Sequence, residues 1–238
     1  GRVVVDVDDV VIGDRPIEGL IGPNGAGKTT LMRMIMHSTP LDRGTITLQQ
    51  VDGGEVVLSS QPAHRMAGHG VVKSNQVIMD FPKLTIWDSL LLAVAEHRYE
   101  QPHRVLAEGT VFRRHQDEIR HYLDVFGFTD PTAFALSAGE KKLLDIVRCL
   151  LLHPSFLLLD EPTAGLPDDL TEKVMEVVRE LAAGGTSVVI VEHDLNLIWS
   201  LCDEVLFMAE GTGTLRGDPR SIREDHVGVE KYLGEGHV

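Results

Sequence analysis

The spacing of apolar residues changes twice along this chain, and the changes mark out its parts. Residues 2–11 alternate valine with aspartate, the two-residue period of a strand with one exposed face. Gly19, Leu20 and Ile21 form a short apolar run that ends in a glycine-rich segment. Residues 29–37 place Leu31, Met32, Ile35 and Met36 on one side of a helix. Residues 44–49 and 55–58 read as two strands separated by Asp52-Gly53-Gly54, a turn signal. After Phe81-Pro82 the strand signals stop. Apolar residues recur at helical spacing over 85–98 and 111–126, and no strand pattern appears between Pro82 and Cys149. Strands return at 156–159, 187–191 and 204–208, with helical patterns at 169–183 and 195–201 between them.

Strands rich in Val, Ile and Leu that alternate with helices predict a mostly parallel sheet covered on both faces. The reading is a single α/β domain over residues 1–238. Residues 1–81 and 151–238 make its core, with an antiparallel edge in the first part, and residues 82–150 form a helical insert. No repeat with a period of tens of residues and no low-complexity segment interrupts it.

Charge narrows the function. The net charge is −14, whereas binders of phosphate backbones concentrate positive charge; the acidity reads as a solvated surface, and no nucleic-acid partner is expected. No apolar stretch approaches the roughly 20 residues of a spanning helix, and the N-terminus lacks the charged-then-apolar pattern of a secretory signal. Cys149 and Cys202 both sit among apolar residues without metal-ligand spacing, as small buried hydrophobes in a reducing compartment. The expected location is cytoplasmic, with any work at a membrane done through a membrane partner.

The chemistry lies in five short motifs. Gly22-Pro23-Asn24-Gly25-Ala26-Gly27-Lys28-Thr29, followed by Thr30, fits the P-loop pattern. Its glycines let backbone N–H groups point into one concavity, and the next helix adds its positive dipole end. Lys28 supplies charge to the β- and γ-phosphates, and Thr29 a hydroxyl to Mg²⁺. Asp160 and Glu161 end a fully apolar strand, where two acids are costly unless they serve a site. Asp160 suits the metal and Glu161 a general base for water. Leu136-Ser137-Ala138-Gly139-Glu140 reads on its own as an ordinary helix N-cap. Gln76 alone reads as a surface residue. His193 follows a strand within Val191-Glu192-His193-Asp194. The other histidines, including His97, His103, His115 and His121, read as surface residues without ligand geometry.

Together these motifs resemble the nucleotide-binding subunit of an ABC transporter, over nearly the whole chain from about Leu20. The resemblance implies two copies, or this chain and a paralogue, closing around two Mg-ATP. It implies that Ser137, Ala138, Gly139 and Glu140 face the γ-phosphate held by the other subunit's P-loop. It makes Gln76 the residue that reaches toward Mg²⁺ and the attacking water, and His193 the switch histidine at the γ-phosphate. Ala164-Gly165-Leu166, Val191-Glu192-His193-Asp194 and the ending Val229-Glu230-Lys231-Tyr232-Leu233-Gly234 resemble ATPases of branched-chain amino acid, amide and urea importers. Those work with a membrane permease, on the inner face of the cell membrane, and with an extracytoplasmic binding protein. Val77, Ile78, Phe81 and Leu84 form an apolar cluster just after Gln76 that reads either as core or as a docking surface, and at least Phe81 is expected to line the groove that takes a permease helix.

The sequence departs from the family pattern at Glu140, where Gln is usual, at Ala138, where Gly is usual, and at Pro167, where Asp is usual. No aromatic residue or histidine stands in residues 1–27 to stack on adenine. Gly19 to Ile21 supplies about half of an ordinary strand of ~5–6 residues, so either a segment is absent, with a break expected between Val11 and Glu18, or the edge is truly short and adenine is held by weaker contacts. The rival readings are an ATPase of a lipid or lipopolysaccharide exporter, a nucleic-acid clamp, and a nucleotide-gated module without turnover. The intact Glu161 argues against the last. The clamp would need long coiled coils between P-loop and signature, where only residues 30–135 intervene.

Overall fold

A computed structural model of the chain describes residues 4–50, 53–75, 84–94, 108–133 and 136–224. Eight strands and seven α-helices are described: β1 Ile17–Ile21, α1 Lys28–Ile35, β2 Thr47–Gln49, β3 Glu55–Val57, β4 Val71–Lys73, α2 Ile86–Val94, α3 Glu108–Phe126, α4 Ala138–Leu150, β5 Phe156–Asp160, α5 Asp168–Ala183, β6 Ser187–Val191, α6 Leu195–Leu201, β7 Glu204–Ala209, β8 Thr212–Gly217 and α7 Pro219–Glu224. Six strands form one sheet in the order β4-β5-β6-β1-β7-β8, parallel except for the β7–β8 pair. β2 and β3 make a separate antiparallel ribbon.

The period of two along each central strand decides which side chains face which layer. Leu157 and Leu159 of β5, Val188 and Ile190 of β6, and Val205 and Phe207 of β7 enter one core, built with α2 to α7. Phe156 and Leu158, Val189 and Val191, and Leu206 and Met208 enter the other, with Leu31, Met32 and Ile35 of α1. Each fully buried apolar side chain of this kind contributes about 1.5–3 kcal/mol, so both faces hold the sheet in place. The helices of the predicted insert join the first core through Ile86, Leu90 and Val94 of α2, Ile119, Leu123 and Phe126 of α3, and Leu143, Leu144 and Val147 of α4.

Two expectations fail at the N-terminus. Residues 4–11 form no strand. The sheet positions beside β1 are already filled by β6 and β7, so this segment lies across the second core instead. Val5, Val7, Val10 and Ile12 pack there, and the Asp6 N–H donates to the Gly211 carbonyl at 2.7 Å. The strand read from Gly19 to Ile21 is also longer than expected. The chain runs through Gly13 to Glu18, and β1 reaches five residues because Ile17 and Glu18 join it. Glu18 is 3 % exposed. Its carboxylate accepts from the Gly13 and Arg15 N–H groups, both at 3.0 Å, and lies 3.4 Å from Arg216 Nη2. A buried carboxylate thus ties down the short turn that reads as a missing segment.

Candidate functional site

The glycine-rich loop runs from the end of β1 to the start of α1. Gly22 is required there: its φ is 147°, and a Cβ would come 2.0 Å from the Met208 carbonyl oxygen. Gly25, at φ 82°, opens onto free space, as a loop that receives a ligand with its backbone needs. Ala26 N–H donates to the Pro23 carbonyl at 3.1 Å, and Gly211 N–H to the Ala26 carbonyl at 3.1 Å. Lys28 is buried, and its ammonium donates to the Gly22 carbonyl at 2.6 Å and the Pro23 carbonyl at 3.1 Å. Burial pulls the Lys28 pKa below its ordinary value, against the charges of Glu161 and Asp160, which raise it. Those two opposing charges put Asp160, at the end of β5, and Glu161, just past it, within electrostatic reach of the loop. Thr29 and Thr30 follow, both half-buried in the first turn of α1.

Asp160 ends β5 at 2 % exposure. One carboxylate oxygen, Oδ2, pairs with Lys73 Nζ at 3.1 Å. The other, Oδ1, is buried and has no hydrogen-bond partner among the described residues. An unsatisfied buried carboxylate oxygen costs free energy, which a hard cation could offset; the Thr29 hydroxyl is an oxygen donor of the type such a cation takes.

Glu161 comes next, with a left-handed backbone at φ 52°. Its Oε1 lies 2.9 Å from His193 Nε2. His193 stands just past β6, which is paired with β5 along its whole length, so the two strand ends carry acid and imidazole to one edge. Glu192, buried, fixes the neighbouring loop: its Oε1 accepts from the Thr163 N–H at 2.7 Å and hydroxyl at 2.6 Å, and its Oε2 from the His193 N–H at 3.2 Å. Lys142 of α4 donates to the Glu161 carbonyl at 2.8 Å and the Ala164 carbonyl at 2.7 Å. Burial lowers its pKa, while Glu192, Glu161 and Asp160 raise it.

Gln76, Val77, Ile78 and Phe81 lie outside the described residues. The chain that leads to them is anchored, because Asn75 donates through its backbone N–H to Asp145 Oδ2 at 2.7 Å and through Nδ2 to Oδ1 at 3.1 Å. Ser74 Oγ accepts from the Asp160 N–H at 3.0 Å. Ser74 and Asn75, which follow β4, are therefore bonded to β5 and α4.

Ser137 caps α4 in a full capping box. Its N–H and hydroxyl donate to Glu140 Oε2 at 2.8 and 2.7 Å, and its Oγ accepts the Glu140 N–H at 3.2 Å. These bonds hold the Glu140 carboxyl below the usual range, so the departure from Gln supplies the N3 acid of a cap. Ala138 and Gly139 open the helix beside it. Pro167 has φ −61° and stands at the N-cap of α5, with Asp168 and Asp169 in the first turn. Its ring suits a helix start and gives no side-chain acid for a contact across an interface.

Lys73, Lys142, Glu192 and Asp145 form the frame of the site and are given no role in the sequence reading. Glu192 stood in a motif. The other three carry no local signal, since a lysine or aspartate in a helix or strand is ordinarily solvated. His115 corrects the reading in the opposite direction. It is not a plain surface residue: its side chain is 18 % exposed and faces Glu118 and His153. His97 and His103 lie outside the described residues. Both cysteines are buried and unpaired, as expected.

The ABC transporter family model matches residues 10–164. The chain is 32% identical over 243 residues to the high-affinity branched-chain amino acid transport ATP-binding protein LivG of Salmonella typhimurium, covering 99% of this chain and 93% of that protein. It is 29% identical over 242 residues to the lipopolysaccharide export system ATP-binding protein LptB of Escherichia coli K12, covering 99% and 92%. Its fold matches the solved structure of an ATP-binding subunit of an ABC transporter, with a TM-score of 0.73 at 23% identity, over 97% of this chain and 89% of that one.

Proposed function

Because this chain belongs to the ABC transporter family, and is an ABC ATPase by that membership, we propose that it closes with a second copy or a paralogue around Mg-ATP and drives solute import through a membrane permease. The solute class is that of branched-chain amino acids, amides or urea, delivered by an extracytoplasmic binding protein. The likeness to LivG supports the import reading. In this reading the chain sits on the inner membrane face through its permease, and residues 82–150 are the subdomain that carries Ser137 across the dimer.

The observation that carries the proposal is the pairing of Glu161 Oε1 with His193 Nε2 at 2.9 Å, beside an unsatisfied Asp160 Oδ1 and the buried Lys28. The residues Gly22 to Thr30 bind the phosphates of ATP, with Lys28 leaving its loop carbonyls for the β- and γ-oxygens. Thr29, Asp160 and Gln76 would hold Mg²⁺, which would supply charge neutralisation for the transferring phosphoryl group. Glu161 accepts a proton from water as the water oxygen attacks the γ-phosphorus. The bond from that phosphorus to the β–γ bridging oxygen breaks, giving ADP and phosphate. His193 holds the Glu161 carboxylate in line and reaches the γ-phosphate. Ser137, Ala138, Gly139 and Glu140 of the other copy offer a helix N-terminus to that phosphate.

Glu161→Gln keeps the shape and removes the base. Hydrolysis, followed as phosphate release, falls by orders of magnitude, while ATP still binds and the ATP-bound dimer accumulates in light scattering. A variant that hydrolyses ATP at the wild-type rate refutes the site. The similar identity to LptB supports a second reading, an ATPase of a lipid or lipopolysaccharide exporter. Identifying the permease that copurifies with the chain from membranes decides between the two.

A further inference from the structure

Away from the P-loop, α3 meets the turn between α4 and β5. His115 and Glu118 stand one turn apart on α3, and His153 lies in that turn, three residues before β5 begins. The His115 Nδ1, Glu118 Oε2 and His153 Nε2 side-chain atoms all lie within 4.8 Å of one another. Glu118 Oε2 is 3.7 Å from His115 Nδ1 and 3.4 Å from His153 Nε2.

These separations are too long for hydrogen bonds, which need about 2.7–3.2 Å. The 3.4 Å separation fits a different arrangement, and the 3.7 Å one is a few tenths of an ångström wider. Metal–ligand bonds of about 2.0–2.1 Å in a tetrahedral site set neighbouring ligand atoms about 3.3–3.4 Å apart. A second observation concerns His115 by itself. Its Nδ1 is buried and has no hydrogen-bond partner among the described residues. A buried ring nitrogen without a partner is costly, and a metal ion is a partner that fits the gap between it and the carboxylate. His153 adopts φ 47°, an uncommon conformation for a residue other than glycine. Its side chain is 65 % exposed, which leaves the cluster open to an ion from solvent.

We propose that His115, Glu118 and His153 form a site for a zinc-type divalent cation, with water at the fourth position. Two imidazoles and one carboxylate are borderline donors that favour zinc or cobalt over magnesium. The ion would tie α3 to the turn that leads into β5, and so clamp the helical stretch to the strand that ends in Asp160 and Glu161. Neither of those residues belongs to the new site, and the proposal stands apart from the reading of the ATP site.

Cobalt(II) is the probe, titrated into the nucleotide-free chain. We expect one tight equivalent with the intense visible bands of four-coordinate cobalt, displaced by zinc, and a higher melting temperature for the zinc-loaded chain. His153→Asn removes the imidazole while keeping a residue that tolerates the left-handed backbone. Glu118→Gln removes the shared carboxylate. Each should weaken binding at least tenfold and abolish the bands, with unchanged far-ultraviolet circular dichroism. Bands and stoichiometry that persist in both folded variants overturn the proposal. So does wild-type binding that is weak, six-coordinate or spread over many equivalents.

Discussion

Lys142 offers the sharpest test of how this site is held together. Glu161 sits at φ 52°, a backbone conformation that costs of order 1–3 kcal/mol for a residue other than glycine unless its surroundings impose it. Two bonds impose it from the carbonyl side. The Lys142 ammonium donates at 2.8 Å to the Glu161 carbonyl and at 2.7 Å to the Ala164 carbonyl, bracketing the turn that follows β5. A hydrogen bond to a charged group contributes about 1.5–3 kcal/mol. Lys142 is only partly buried, so water screens each bond toward the lower end. The Glu161 N–H keeps its own bond to the Val191 carbonyl at 2.8 Å whatever happens to Lys142. A net loss of about 2 kcal/mol in holding the Glu161 carboxylate toward His193 is therefore expected when Lys142 becomes Met, which keeps the length and removes the donors. If that loss falls wholly on the hydrolytic step, kcat drops about 30-fold. Lys142 is a positioning residue and touches no reacting atom, so KM for ATP should stay within about twofold. The assay is steady-state phosphate release across ATP concentrations, with urea unfolding run in parallel. A folded Lys142→Met variant with wild-type kcat refutes the reasoning, and so does one in which KM alone rises.

Gly22→Ala should cut ATP affinity by more than tenfold in a nucleotide-binding titration, because its Cβ would come 2.0 Å from the Met208 carbonyl oxygen at a φ of 147°. Glu18→Ala strips the acceptor from the Gly13 and Arg15 N–H groups and should cost about 3 kcal/mol of stability in urea, at about 1–3 kcal/mol per stranded donor; Glu18→Gln, which keeps a carbonyl acceptor, should cost less than half as much. Burial pushes the Cys202 thiol up from 9.0 to about 12 and the Cys149 thiol up further. Both should resist alkylation by iodoacetamide in the native chain at pH 8. The unfolded chain ionises these thiols first, so stability should be full below about pH 9 and fall as the pH rises toward 12.

Much of this molecule follows from local sequence. The glycines of the P-loop, the apolar run into Asp160 and Glu161, and the strand before His193 each encode their own structure within a few residues. The β6 strand and the α6 helix appear at the predicted residues, because a period of two or 3.6 needs only neighbours along the chain. The sheet order was not legible in this way. That β1 lies between β6 and β7, and β5 between β4 and β6, depends on which faces bury together across more than a hundred residues. The same pairing brings His193 to Glu161, 32 residues apart, and Lys73 to Asp160, 87 residues apart. Residues 4–11 show the limit from the other side. Their alternation of valine and aspartate satisfies a strand, yet the ladder positions beside β1 were taken, and Val5, Val7 and Val10 pack on the second core instead. Glu18 is the clearest case: by type it belongs in water, and only the turn wrapped around its carboxylate, with Arg216 alongside, makes its place in the central strand stable. Local propensity and motif spacing determined the elements and the chemistry they carry. Tertiary packing decided which elements stand side by side, because the free energy of burial is shared among residues that the sequence keeps far apart.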